Sequence, residues 1–138
     1  MAESKERLIR IGKVSSINYS DGMIRVTYPD MDDAVTAEFP VFSFTGEYKM
    51  PAVGDDVLVL HLSNGQSAGI VMGRYWNTKN QPAVSGSGVF RKELGADAGD
   101  SYIQYSGGSL KFHDSAGTVS ISDILDIESR LSAVEDKV

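Results

Sequence analysis

The sequence of 138 residues predicts a mainly β protein with a small N-terminal barrel, a meander of short strands and a C-terminal helix. Three observations predict it. Runs of alternating apolar and polar residues, separated by turn residues, fill residues 1–76. Shorter alternating runs follow at 101–121, after a stretch rich in Gly, Ser, Asp and Asn at 77–100. Residues 122–138 then change to helical spacing.

Composition narrows the class of protein. The chain has 13 Lys and Arg, 19 Asp and Glu, a formal net charge of −6 and no cysteine. It therefore holds no disulfide, thiolate zinc site or cysteine nucleophile. The acidity argues against a protein that binds nucleic-acid backbones, because such affinity comes mostly from Lys and Arg. There is no apolar run of about 20 residues. The charged N-terminus lacks the apolar stretch of a signal peptide, which predicts synthesis in the cytoplasm without export.

The strands of the first part are bounded by turn signals. Asp21-Gly22 and Asn64-Gly65 are typical of tight turns between antiparallel strands. Five strands without a helical stretch favour a small barrel of the OB or SH3-like type. The predicted strands are 9–18, 23–28, 34–39, 56–62 and 67–73. In the following linker and loops, 77–100, the sequence indicates one candidate strand at 88–91.

The third part consists of short strands that need a partner. Large apolar residues alternate in pairs, and Gly-containing turns separate the pairs. Such a meander buries too little surface to offset a backbone ordering cost of ~1–2 kcal/mol per residue. Either the barrel or other copies of the chain must cover it. The pairs are Ile103 with Tyr105, Leu110 with Phe112, and Val119 with Ile121.

The last segment has the spacing of an amphipathic helix. Its apolar residues are three and four positions apart, as at the a and d positions of two heptads. Ile at both a and d in the first heptad favours three or more strands over two. The same spacing suits a helix that docks on its own barrel, so both interpretations stay open. The residues are Ile124, Ile127, Leu131, Val134 and Val138.

Few residues suggest chemistry. His61 lies in a strand on the side of Val57 and Val59, which predicts a barrel-wall histidine with a backbone partner. His113 is followed by Asp114 and Ser115, but neighbours on one strand alternate faces and do not form a triad. The acidic run at 30–33 lacks the glycine and glutamate of a helix-flanked calcium loop and predicts a solvated turn. We predict no catalytic residue, no cofactor site and no metal site.

Two aromatic features remain open from the sequence. The segment 43–48 contains Phe44 and Tyr48, and it suits either a contact loop or a loop that packs its rings under the barrel. Trp76 suits either a barrel plug or a binding residue.

The order of several motifs resembles a family of spike proteins. Residues 10–17 and 25–29 look like the opening of phage baseplate assembly protein V and related central spikes of contractile injection systems. Residues 51–59, with the proline, the Val-Gly-Asp and the following valine, resemble the family's entry into strand four, and 69–73 resemble its strand five. The Gly turns and short strands up to Ile121 resemble the start of the family's β-helical spike.

This resemblance implies a homotrimer at the centre of a baseplate, in a virion or a phage-tail-like particle. An OB-fold barrel would seat on the tail hub protein, and the three chains would wind into a short β-prism that plugs the tube and pierces the cell envelope on transient contact. The eleven apolar residues of the meander and helix would form the trimer interface. The family's His-x-His iron tip is missing here, so we expect no tip metal.

Three questions stay open beside this interpretation. The final helix predicts either a distal trimeric coiled coil or a site where a separate tip protein binds. An OB-type module that binds single-stranded nucleic acid or oligosaccharide is the alternative function, although the net charge opposes nucleic acid. A small hydrolase is the third class, and no convergent set of acid, base and nucleophile supports it.

Overall fold

The computed structural model of the protein describes residues 8–62 and 68–137. It is mainly β, with two antiparallel sheets and one C-terminal helix, which confirms the predicted class. The chain divides into two compact units, Met1–Asn80 and Gln81–Val138. No helix among the described residues is long and apolar enough to cross a membrane.

The first unit contains a six-stranded sheet. Its strands run in the order β3-β2-β1-β5-β6, and β4 pairs with β2 outside this path. The strands are β1 (Ile9–Asn18), β2 (Met23–Tyr28), β3 (Ala34–Val35), β4 (Phe39–Pro40), β5 (Asp56–His61) and β6 (Gly69–Arg74).

Strand β2 follows its predicted alternation. Ile24, Val26 and Tyr28 are buried, whereas Arg25 between them is exposed. The preceding turn has Gly22 at φ 66°, a left-handed conformation that glycine adopts without steric cost. The side chains of β2 therefore point alternately into the core and outwards. The core of the unit is formed by Val14, Ile24, Val26, Tyr28, Phe39, Val57, Val59 and Val71.

The predicted third strand, 34–39, is wrong as a continuous element. It is divided into β3 and β4, with a break around Thr36. The Thr36 hydroxyl accepts a hydrogen bond from the Val26 amide at 3.0 Å and donates to the Ala37 carbonyl at 2.7 Å. The Thr36 amide still donates to the Val26 carbonyl at 2.9 Å, so the side chain replaces one of the two backbone bonds of this pair, and the chain leaves the ladder before Phe39 enters the core.

A closed barrel is not confirmed, because the strands of the described residues form no closed sheet. The segment after β4 meets β6 at one isolated parallel bridge, between Val41 and Val71. Beside this bridge the Phe42 amide donates to the Val71 carbonyl at 2.8 Å. The predicted Asn64-Gly65 turn lies outside the described residues.

The second unit contains a four-stranded antiparallel sheet and the helix. The sheet has the order β10-β9-β8-β7. Strand β7 begins two residues after the start of the candidate strand predicted inside the linker, and it pairs with β8. The elements are β7 (Phe90–Glu93), β8 (Tyr102–Ser106), β9 (Ser109–Asp114), β10 (Gly117–Ser120) and α1 (Ile121–Glu135).

The strand-to-helix junction corrects one predicted residue. Ile121 is the first residue of α1 and not the last apolar residue of a strand. Ser120 is the N-cap: its hydroxyl accepts a hydrogen bond from the Asp123 amide at 3.2 Å, and the Asp123 carboxylate accepts one from the Ser120 amide at 2.9 Å. This capping box satisfies two amides at the helix start and so ends β10 at Ser120.

Candidate oligomerisation surface

The register of the second sheet places five predicted interface residues on one face. Phe112 lies opposite both Ile103 and Val119, and Leu110 lies opposite Tyr105. Residues directly opposite each other in an antiparallel pair point to the same side of the sheet, and the side repeats every second residue. The alternation seen in the sequence therefore produces one continuous apolar face.

Phe90 extends this face, which the sequence did not indicate. It lies opposite Tyr105 across the β7–β8 pair. Its side chain is 56% exposed, and Tyr105 and Phe112 are exposed as well. A single aromatic residue in a Gly- and Ser-rich stretch gives no register, so the pairing of Phe90 with the meander could not be deduced. Lys92, opposite Ile103, lies on the same side of the sheet. We call the apolar residues of this side, Phe90, Ile103, Tyr105, Leu110, Phe112 and Val119, the apolar face.

The opposite side of the same sheet is polar and internally bonded. The Arg91 side chain is 11% exposed and forms an ion pair with Glu93. Its guanidinium donates to the Gln104 amide oxygen at 2.7 Å and lies 3.4 Å from the centre of the Tyr102 ring. Arg91 thus satisfies its charge within its own sheet.

His113 completes this polar side. Its ring stacks on Tyr102 with 4.8 Å between the centres, and its Nδ1 lies 2.7 Å from the Thr118 hydroxyl. Asp114 accepts from the Ala116 amide in the turn instead of approaching the imidazole. The geometry therefore accounts for His113 as a structural residue, and no group of three metal-ligating side chains occurs in residues 8–62 and 68–137.

The helix presents its apolar stripe to solvent. Ile124, Ile127, Leu131 and Val134 are all exposed, with Ile127 at 61%. Every described residue of α1 is exposed, so the sheet of the same unit does not cover the stripe. Ile121 is exposed too, and Val138 lies outside the described residues.

The first unit contains a charged cluster that the sequence did not reveal. Arg10 lies opposite Val59 and so points to the core side, while Ile11 is exposed. Its guanidinium forms an ion pair with Asp30 at 3.0 Å and lies 4.7 Å from the centre of the Tyr28 ring. Its Nε is buried without a hydrogen-bond partner among the described residues. The only signal was that Arg10 is in phase with Val14.

His61 joins this cluster through a side chain, which corrects its predicted backbone partner. Its Nε2 lies 2.6 Å from the Tyr28 hydroxyl oxygen, and its ring meets Phe39 edge to face. Burial lowers the pKa of His61, and the nearby Arg10 charge lowers it further. Burial raises the pKa of Tyr28 to about 12. Both partners therefore favour their neutral forms, as suits a structural pair at the rim of the core.

The remaining aromatic side chains are exposed. Trp76 is 67% exposed, which overturns its interpretation as a barrel plug. Phe44 and Tyr48 are exposed as well, so the loop does not pack these rings under the sheet. The Tyr48 hydroxyl donates to the Tyr19 carbonyl at 3.0 Å, which ties this loop to the β1–β2 turn.

Comparison with known proteins adds no family assignment. No protein-family model matches the chain, and no curated protein is significantly similar to it.

Proposed function

We propose that the chain is a structural protein that forms a homotrimer through its second unit, as the central spike of a contractile tail or phage-tail-like particle. The observation that carries the proposal is the exposed apolar face, which a protein alone in water would normally bury. The helix after it adds a second exposed apolar surface in the same unit. Association of copies would cover both surfaces.

A threefold arrangement suits both surfaces better than a twofold one. Ile124 and Ile127 occupy the a and d positions of the first heptad, a combination that favours trimers over dimers. Three copies of the sheet around one axis would enclose the apolar face in a short prism, with Arg91 and Tyr102 on the outside. The buried faces would make the prism stiff, because close-packed interiors deform little.

The proposed mechanical role follows from that stiffness. A rod whose chains are paired along its length transmits an axial force without unfolding one chain at a time. The first unit would act as the base, with an OB-like barrel seated on the tail hub protein; the Val41–Val71 bridge supports a nearly closed strand arrangement. The rod would plug the tube, lead as the tail contracts and contact the cell envelope. At its distal end α1 would form a trimeric coiled coil or receive a tip protein.

The solution mass of the full chain tests the proposal. Sedimentation equilibrium over a wide concentration range should give a species near three times 14.9 kDa. A monomer at every concentration would refute both the trimer and the spike. A stable dimer would refute the threefold arrangement.

An OB-type binding module is a second candidate, and the exposed aromatic rings of the first unit favour it. Trp76, Phe44 and Tyr48 offer flat surfaces on which bases or sugar rings stack. The neighbouring Arg74 does not favour nucleic acid, because its Nε lies 3.3 Å from a carboxylate oxygen of Asp55 and its charge is already paired. Filter binding at low salt discriminates the two functions: tight, salt-sensitive retention of single-stranded DNA would favour the module over the spike.

A further inference from the structure

The sheet of the second unit has two open edges. Strand β7 pairs only with β8, and β10 pairs only with β9, so each has one side without a strand partner among the described residues. Such an edge presents backbone N–H and C=O groups that another strand can bind. Proteins that stay monomeric usually block these groups.

Two of the usual blocking features, proline and a bulge, are missing from both edge strands, although β7 carries one charged residue, Lys92, on the side of the apolar face. Neither β7 nor β10 contains proline, and the three strand pairs of this sheet show no shift of register. The first sheet differs, because its β1–β2 and β5–β6 pairs each contain a shift. The Arg91 side chain lies over the Tyr102 ring and donates a hydrogen bond to Gln104 in its own sheet. Its charge therefore does not block pairing at the open side of β7.

We propose that β7 of one copy pairs with β10 of the next copy, so that the sheets of the assembly join into one ring. The inference rests on the trimer proposed above and names the contact that closes it. The sheet has four antiparallel strands, so its two edge strands run in opposite directions. Copies related by rotation about an axis parallel to the strands therefore meet β7 to β10 in antiparallel orientation, the commoner pairing in sheets.

Pairing of like edges fits the molecule less well. Two copies joined β7 to β7 by a twofold axis would form one flat sheet whose apolar face stays in water. A twofold axis would also run the two α1 helices in opposite directions. Rotation about a common axis turns Phe90, Ile103 and Phe112 of every copy inwards and keeps the helices parallel, as a seam of a and d positions requires.

Engineered disulfides test the contact in the full chain, whose lack of cysteine leaves only the introduced thiols. Lys92 and Val119 lie in one row of the sheet, opposite Ile103 and Phe112, respectively. Within one chain they are three strand spacings apart, about 14 Å, and a disulfide needs Cα atoms within about 7 Å. A bond between Lys92→Cys and Val119→Cys must therefore join two copies. The pair Phe90→Cys with Val119→Cys tests the register shifted by two residues.

Oxidation of at least one of these double variants should convert the protein into covalent trimers on denaturing gels, reversed by reductant. The single variants should not form covalent trimers. Neither should the double variant Lys92→Cys with Lys111→Cys, because its second thiol lies on an inner strand and on the opposite face of the sheet. Parent trimers without covalent trimers in either register would overturn the edge contact alone. Abundant covalent dimers from one single variant would indicate like-edge pairing and also overturn it. A monomeric parent protein would overturn the edge contact together with the proposed function.

Discussion

The hydroxyl oxygen of Tyr28 lies 2.6 Å from Nε2 of His61, and this pair links β2 to β5 at the rim of the core. Arg10 on β1 lies over the Tyr28 ring, so the three strands meet in one polar cluster beside buried valines. A cation and a histidine so close to each other make the stability of the first unit depend on pH.

We expect the first unit to lose stability as the pH falls below about 6.5, the ordinary pKa of histidine. Burial and Arg10 lower the pKa of His61 in the folded state, so the unfolded chain binds a proton first. Stability is therefore complete above pH 6.5 and decreases until the pH reaches the lowered folded pKa. Denaturant unfolding at about pH 7.5 and about pH 5, followed by far-ultraviolet circular dichroism, measures this change.

A His61→Gln variant is the matched control. Glutamine keeps a polar group for Tyr28 but does not titrate in this range. The protein has two histidines, and His113 is present in both proteins, so the difference between them reports His61. Equal pH dependence in both proteins would contradict the assignment.

Tyr28 should ionise at a higher pH than an ordinary tyrosine. Burial raises its pKa to about 12 from an ordinary value of 10.0. The contribution of this group to stability is complete below pH 10 and is lost as the pH rises through 12. Ultraviolet titration of tyrosinate should show a late step near pH 12 that Tyr28→Phe removes. A Tyr28→Phe curve that keeps the late step would assign it to another tyrosine.

The sequence predicted most strands because their alternation and turn residues agree. Leu110 and Phe112, two residues apart on one strand, could be placed on one face from period-two spacing alone. The division of the third strand was missed because a Thr36 hydroxyl replaces a backbone ladder bond, and propensity does not register such a side-chain contact. Ile121 was misplaced because one more apolar residue continues both a strand and a helix pattern, and only the capping box decides between them.

Only those parts of the oligomerisation surface that depend on short-range sequence patterns could be predicted. The apolar face could be predicted from pairs two residues apart on the same strand. Phe90 was missed because its partner Tyr105 is fifteen residues away and no short-range signal sets that register. Arg10 was missed because alternation does not decide which side of β1 faces the core, and in this strand Arg10 and Gly12 face it.

Gly12→Ala should destabilise the first unit by roughly 1–3 kcal/mol, the usual cost of overpacking. A Cβ at Gly12 would lie 2.3 Å from Cγ1 of Val26 and 2.8 Å from both the Thr27 carbonyl oxygen and Cδ1 of Tyr28. Because the carbonyl belongs to the sheet backbone, the strand must shift. Denaturant unfolding followed by far-ultraviolet circular dichroism measures the loss, and Ser16→Ala on the exposed side of β1 is the control. An equal free energy of unfolding for the two variants would show that β1 accommodates the added methyl group without loss of stability.

Ile127→Asp should weaken the trimer while the first unit stays folded. Ile127 occupies a d position of the α1 stripe, so association would bury its side chain against the other copies. An ionised carboxylate there would lack a partner, and its desolvation costs several kcal/mol. We expect dissociation at concentrations at least about tenfold higher than for the parent, since 1.4 kcal/mol corresponds to a factor of ten. Ser129→Asp adds the same charge two residues away, outside the stripe, and should leave the sedimentation mass unchanged. If both variants keep the mass of the parent, the stripe does not hold the copies together, and the sheets alone must do so.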